Sequence, residues 1–256
     1  MRYQDYRTTH QGAESWAADY DAKLFSPGSF GAAIWEREQQ LLDRIVQQQL
    51  LHRESYLDFA CGTGRVLAYL EGRFTRAVGV DISGTMLAVA RSRVRTAEFL
   101  QGDATRDAGI LGERRFDFIT AFRFFLNAQP SLRDEAMQCL ACALRDDDSR
   151  LLFNVHGNRY STRALIAAKA RITREQFASM SVRESMELVR RHALEVVEWY
   201  GIGSYDKALL RVMPLGAWRW AERFASLPKR YAVHLYFLCG RASSSSAGLV
   251  RSGTLT

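Results

Sequence analysis

Tyr56-Leu57-Asp58-Phe59-Ala60-Cys61-Gly62-Thr63-Gly64-Arg65 decides how this chain folds. A short apolar run carries an acid near its end, two glycines punctuate a tight turn, and a helical pattern begins at Arg65. Glycines in such a turn permit positive φ and let the backbone approach a ligand closely. In open α/β sheets, ligands sit beyond the carboxyl ends of the strands, where this turn would lie. A dinucleotide-binding turn reads Gly-x-Gly-x-x-Gly, with its amides facing a pyrophosphate. Here Leu67 occupies the place of the third glycine, and Asp58 stands four positions before the first. That arrangement suits a ligand with a cationic amine and no pyrophosphate.

Outward from this turn, short apolar runs alternate with helical ones. Strands are expected at Ser55–Ala60, Ala77–Ile82, Ala97–Gln101, Phe116–Phe122 and Arg150–Val155, with helices near Arg65–Glu71, Thr85–Arg93 and Leu132–Leu144. Ser83 is placed to cap the helix after the second strand. Such βαβα alternation predicts a parallel sheet covered by helices on both faces. Two further strands, Ala193–Tyr200 and Arg230–Cys239, complete seven if they pair antiparallel. Upstream, helical patterns cover Gly12–Phe25 and Ala32–Val46, the latter with Ile34, Leu41, Leu42, Ile45 and Val46 on one stripe. The predicted fold is a Rossmann-like three-layer α/β sandwich. Its seven-stranded sheet is mostly parallel with an antiparallel last strand, with N-terminal helices and a helical insertion before that strand. Residues 1–241 read as one domain: a helical cap over 1–50, a core over 51–158 and a basic helical region over 159–229. Residues 242–256 read as a disordered tail.

Asp58-Phe-Ala-Cys-Gly-Thr-Gly64 resembles the first motif of the class I S-adenosylmethionine-dependent methyltransferases. Two further features fit at the right spacing. Asp81 ends the second strand, 23 residues after Asp58, where a carboxylate can accept hydrogen bonds from ribose hydroxyls. Ile82-Ser-Gly-Thr-Met86 is similar to the segment whose apolar residues pack on adenine in that family. Gln101-Gly-Asp103-Ala104-Thr105 ends the third strand, and there the family uses an acid to accept from the adenine amino group. Trp16-Ala-Ala-Asp-Tyr20-Asp21 is similar to the family's N-terminal segment, which folds over the cofactor. The resemblance therefore implies S-adenosylmethionine as cofactor. It implies a site built from Tyr20, Asp58, Ala60, Cys61, Gly62, Thr63, Gly64, Asp81, Ile82, Met86, Asp103, Ala104, Thr105 and Phe122. For Cys61 the residues alone point to packing, because nothing nearby in sequence marks an activating base.

The acceptor side is less defined. Phe116–Phe122 runs into Arg123-Phe-Phe-Leu-Asn127, without the Asn/Asp-Pro-Pro-Tyr/Phe of adenine and glutamine methyltransferases or the Pro-Cys of cytosine-C5 enzymes. A small-molecule acceptor is therefore favoured over nucleic acid. Phe122, Phe124 and Phe125 either wall an apolar pocket or belong to the core. Arg123 suits an anionic substrate group and Asn127 its orientation. His156, just past the fifth strand, either removes an acceptor proton or bonds its own loop. The expected reaction is an in-line displacement at a sulfonium-bound methyl group. Methyl transfer to RNA, and a non-catalytic cofactor-binding protein, are the competing readings.

The formal charge is +7, unevenly spread. Residues 1–158 hold 19 Lys/Arg and 21 Asp/Glu, whereas residues 159–230 hold 14 and 7. This surplus is either a solvated arginine face or a positive field over an acidic partner. Trp218, Trp220 and Phe224 interleave with Arg211, Arg219, Arg223, Lys229 and Arg230, as in a lid over an anionic substrate, a membrane-contacting surface or a nucleic-acid groove. No run reaches the roughly 18 apolar residues of a spanning helix. The polar N-terminus lacks the apolar region of a secretory signal. Of the four cysteines, Cys139 and Cys142 share a Cys-x-x-Cys spacing, but no second pair completes a zinc set, so no metal is expected. Both thiols are expected to pack in the core of a reduced, cytoplasmic protein.

Overall fold

The computed structural model describes residues 6–9, 21, 24–161, 164, 179–203, 214, 216–217, 220 and 229–242. Most of the expected helix at Gly12–Phe25, Tyr20, most of the basic region and the tail beyond residue 242 lie outside the described residues.

Seven strands form one sheet: β1 (Ser55–Phe59), β2 (Arg76–Asp81), β3 (Glu98–Gln101), β4 (Phe118–Ala121), β5 (Arg150–Val155), β6 (Leu194–Ile202) and β7 (His234–Arg241). Their order is β3-β2-β1-β4-β5-β7-β6. β1 to β5 pair in parallel, and β7 lies antiparallel between β5 and β6. The expected sheet is thus present. The chain first builds outward from β1 to β3 and then restarts on the other side at β4. The switch point, where two loops diverge and leave a crevice, falls between β1 and β4.

Strand side chains alternate between two helical layers. Leu57, Phe59, Val80, Ile119, Leu151 and Phe153 pack with Leu132, Ala136, Met137 and Leu140 on one face. The last four belong to α5 (Pro130–Ala143), which follows α1 (Tyr6–Thr9), α2 (Phe30–Gln48), α3 (Arg65–Leu70) and α4 (Gly84–Arg93). α6 (Val182–Arg190) adds Leu188 and Val189 to that face. Tyr56, Phe118, Leu152, Tyr236 and Leu238 pack with α2 and α3 on the other. α2 buries all five residues of its expected stripe, and its N-cap Ser29 accepts from Ala32 N–H. Ser83 caps α4 by accepting from Met86 N–H.

Several boundaries shift by a residue or two, β7 and β4 have a clear cause for their shift, and one packing expectation differs. β7 begins at His234, not Arg230, because Lys229–Tyr231 winds into a 3-10 turn whose Lys229 carbonyl lies where a side chain on Gly201 would stand. β4 is shorter than its apolar run, since Arg123 turns left-handed at φ 62° just after it. Cys139 points inward and donates to the Ala104 carbonyl, but Cys142 is exposed, one helical step out of that face. Among the described residues, no helix is long and apolar enough to cross a membrane.

Candidate active site at the carboxyl edge of the sheet

A cavity of about 540 Å³ opens at the switch point. That lies within the roughly 300–1,000 Å³ of small-molecule sites. Its wall brings together the turns after β1, β2, β3 and β4: Asp58, Ala60, Cys61, Gly62 and Thr63; Asp81, Ile82 and Met86; Asp103, Ala104 and Thr105; Phe122, Arg123 and Asn127. Gly64 stands just outside, as the left-handed residue that starts α3.

The first turn is fixed by backbone geometry. Ala60 and Gly62 both have positive φ, and Cys61 N–H donates to the Val80 carbonyl. A Cβ on Gly64 would approach Ala90 Cβ to 2.9 Å and Val94 Cγ2 to 3.1 Å, so this glycine lets α3 and α4 pack closely. A Cβ on Gly62 would meet nothing within 4 Å. There the glycine serves the left-handed turn, and the space beside it is open.

Asp58 is fully buried at the base of the cavity. Thr120 donates to its Oδ1 at 2.7 Å, and Tyr56 hydroxyl lies 2.6 Å from Thr120 Oγ1. Because Thr120 gives its proton to Asp58, Tyr56 donates to Thr120. Asp58 Oδ2 is buried without a hydrogen-bond partner. Burial pushes the Asp58 carboxyl up to about 7, against the Thr120 bond, the Arg65 charge and the Leu67 backbone N–H. An ammonium group placed at that oxygen would supply what it lacks.

Asp81 ties two turns together: its Oδ2 accepts from Gly62 N–H and its Oδ1 from Ser83 N–H, both at 2.8 Å. Asp103 Oδ1 accepts from Thr105 N–H and hydroxyl, and Oδ2 accepts from Arg7 Nε. Burial would raise Asp103, but the Thr105 and Arg7 bonds outweigh it and hold its pKa below the usual value. Arg7 also reaches Thr105 and Glu135, so α1 is latched across the β3 end of the cavity. Cys61 is half-buried, and desolvation pushes its thiol well up, which suits packing and not nucleophilic attack.

On the β4 side, Phe122 and Phe124 wall the cavity, whereas Phe125 is fully core. Arg65 is sandwiched 4.1 Å from the Phe25 ring and 4.0 Å from the Trp35 ring, and it pairs with the fully buried Glu38. Arg123 N–H donates to Asn154 Oδ1, and Asn127 donates to the Arg123 carbonyl. His156 sits one residue beyond β5 with its ring 6.5 Å from His234, and it is not among the residues lining the cavity. Arg7, Phe25, Arg65, Leu126 and Leu132 line the cavity without having been singled out from the sequence. Of these, only Arg65, directly after the glycine turn, carried a positional signal.

Residues 57–147 match the family described as "Methyltransferase domain". A dTDP-3-amino-3,6-dideoxy-alpha-D-glucopyranose N,N-dimethyltransferase of Streptomyces fradiae is 37% identical over 86 residues, 34% of this chain and 32% of that protein. A Geobacillus protein named as a methyltransferase is 32% identical over 149 residues, 56% of this chain and 57% of its own length. The chain thus spans between about a third and three-fifths of these curated relatives. The crystal structure of magnesium protoporphyrin IX methyltransferase from Synechocystis, with S-adenosylhomocysteine bound, superposes with a TM-score of 0.64 at 13% identity, covering 93% of this chain and 100% of that one. Residues 57–147 are thus similar to a methyltransferase domain, and they hold the glycine turn and the three strand-end acids that line the cavity.

Proposed function

We propose that this protein transfers the methyl group of S-adenosylmethionine to a small-molecule acceptor by in-line displacement. The observation that carries the reading is Asp58 Oδ2: a buried carboxylate oxygen without a hydrogen-bond partner, on a residue that lines the cavity beside an open glycine turn. A buried polar atom left unpaired is costly, and a cationic amine of a bound ligand would satisfy it.

In this reading Asp58 holds the amino group of the cofactor and Asp81 its ribose hydroxyls. Ile82 and Met86 pack on adenine, and Asp103 with Thr105 receives its polar edge. A carboxylate has about four acceptor sites, so the three bonds that Asp103 accepts leave room for one more. When bound, the cofactor supplies an electrophilic sulfonium methyl, so the protein has alignment left to do. Phe122, Phe124, Arg123 and Asn127 shape the acceptor side. No side chain is assigned as general base, because His156 lies off the cavity wall.

An acceptor of small size fits the bounded cavity, and one relative is named for an amino-sugar nucleotide, itself a small molecule. Four free cysteines suit a reducing, cytoplasmic setting. Isothermal titration with S-adenosylhomocysteine tests the reading. We expect micromolar binding, weakened about tenfold or more in Asp81→Ala, the loss of roughly 1.4 kcal/mol. Absence of binding at high micromolar ligand overturns it.

A further inference from the structure

We propose that Arg123 is the receptor for a negatively charged group, a carboxylate or phosphate, on the methyl acceptor. This rests on the cavity being the methyl-transfer site and adds to it the chemical class of the acceptor.

Three arginines line the cavity, and two of them are neutralised. Arg7 pairs with Asp103 and Glu135, and Arg65 pairs with Glu38 at 3.0 Å. Among the described residues, no carboxylate lies within ion-pair reach of Arg123, and its Nε is buried without a hydrogen-bond partner. A guanidinium desolvated on one edge and left unpaired is costly, and a bound anion would remove that cost.

The backbone beneath it is built to hold this side chain in place. Arg123 has φ 62°, a conformation that glycine adopts freely and a long side chain does not. It is clamped on both sides: its N–H donates to Asn154 at 2.6 Å, and its carbonyl accepts from Asn127 at 2.7 Å. Asn154 is itself fully buried on β5. A turn alone would be better served by glycine. A strained, doubly clamped arginine facing a cavity points to use of its side chain. The Phe25 ring lies 5.0 Å from the guanidinium carbon and limits its swing.

Position along the sheet gives the cation its role. The order β3-β2-β1-β4 places Asp103, Asp81 and Asp58 successively along the crevice, with Arg123 beyond them. The three acids suit a cofactor laid from β3 to β1. Arg123 lies on the far side, where an acceptor would enter. A carboxylate or phosphate seated there would orient the acceptor before transfer.

The cofactor also carries a carboxylate, so the test must separate the two. Nitrogen-15 labelled protein is first titrated with S-adenosylhomocysteine, then, when saturated, with inorganic phosphate and separately with acetate. The Nε–H resonance of Arg123 is followed, assigned by its loss in Arg123→Gly. We expect a saturable shift at millimolar phosphate or acetate, the stronger response naming the acceptor's group. We expect no such response in Arg123→Gln or Arg123→Gly, and S-adenosylhomocysteine affinity within about twofold of the parent. Arg123→Gly relieves the positive φ and so remains folded. The proposal is overturned if the Arg123 resonance does not saturate, or if other arginines shift alike, which marks an adventitious ion only. It is also overturned if Arg123→Gln loses cofactor affinity about tenfold, because Arg123 then serves the cofactor's own carboxylate. If the parent fails to bind S-adenosylhomocysteine at all, the methyl-transfer reading fails, and the phosphate response of the unliganded protein still reports on Arg123.

Discussion

Thr120 and Asp58 stand directly opposite one another on β4 and β1, hydroxyl to carboxylate at 2.7 Å. The pair sits at the switch point of the sheet, so one strand crossover places both the acid and its donor. Burial there outweighs the Thr120 bond and leaves the Asp58 carboxyl raised to about 7.

Cofactor affinity should therefore depend on pH. A ligand ammonium binds the ionised form, so affinity falls as pH drops below about 7 and levels off above it. Calorimetry of S-adenosylhomocysteine binding in buffers of different ionisation enthalpy should show proton release that grows below neutrality. Asp58→Asn should bind about tenfold or more weaker and lose the pH dependence. A flat profile in the parent would remove the role given to Asp58.

Stability should respond to the same group with the opposite sense. The folded-state value is raised above the ordinary 3.8, so this contribution is fully present below that value and is lost as pH rises through about 7. Asp58→Asn should thus raise unfolding free energy at pH 8, on the order of 2–4 kcal/mol, and change little at pH 4. Thermal unfolding at the two pH values measures this.

Glu71 is a second buried carboxylate, but with the reverse balance. It accepts from the N–H groups of Arg95, Thr96 and Ala97 and from Thr96 hydroxyl. Burial opposes its ionisation, the hydrogen bonds favour it more, and its pKa is lowered from 4.5. Its stabilisation is present above 4.5 and lost as pH falls through the lowered folded-state value. Glu71→Ala leaves amides unpaired and should cost about 2–4 kcal/mol in urea unfolding at pH 7.

Gly64→Ala should destabilise by about 1–3 kcal/mol, since it adds a side chain at φ 72° against Ala90 and Val94. Cofactor affinity should fall with it, because α3 and α4 carry the turns that line the cavity. Gly62→Ala, at a site with no neighbour within 4 Å, should cost only its left-handed strain, about 1 kcal/mol.

Arg7→Ala should speed release of S-adenosylhomocysteine about tenfold while changing global unfolding little. Arg7 fastens α1 across the β3 end of the cavity through Asp103, Thr105 and Glu135. Stopped-flow displacement reads the rate, and an unchanged rate would mean that α1 does not gate the cavity.

What the sequence disclosed follows from which interactions are local. Asp58, Asp81 and Asp103 were legible because each closes a strand, and strand ends are marked by hydrophobic runs and turn residues. Arg7 was not, because its partner Asp103 lies 96 positions away and no periodicity links them. Thr120 read as one polar residue within an apolar strand; its meaning appears only when β4 is known to adjoin β1. Glu38 falls among the buried positions of α2, where a charge is unexpected until Arg65 and Tyr236 close around it. The start of β7 was misplaced because apolar residues continue through a turn set by contact with Gly201. Tyr20 and most of the basic region lie outside the described residues, so their roles rest on sequence.

The strand order also dictates a schedule for making the molecule. β6 touches the sheet only through β7, which emerges from the ribosome after it. Until β7 arrives, β5 presents an open edge and β6 has nothing to join, and unpaired edges invite pairing with other chains. The four strands whose turns line the cavity can assemble during synthesis, but the β5 edge is covered only after release of the final strand.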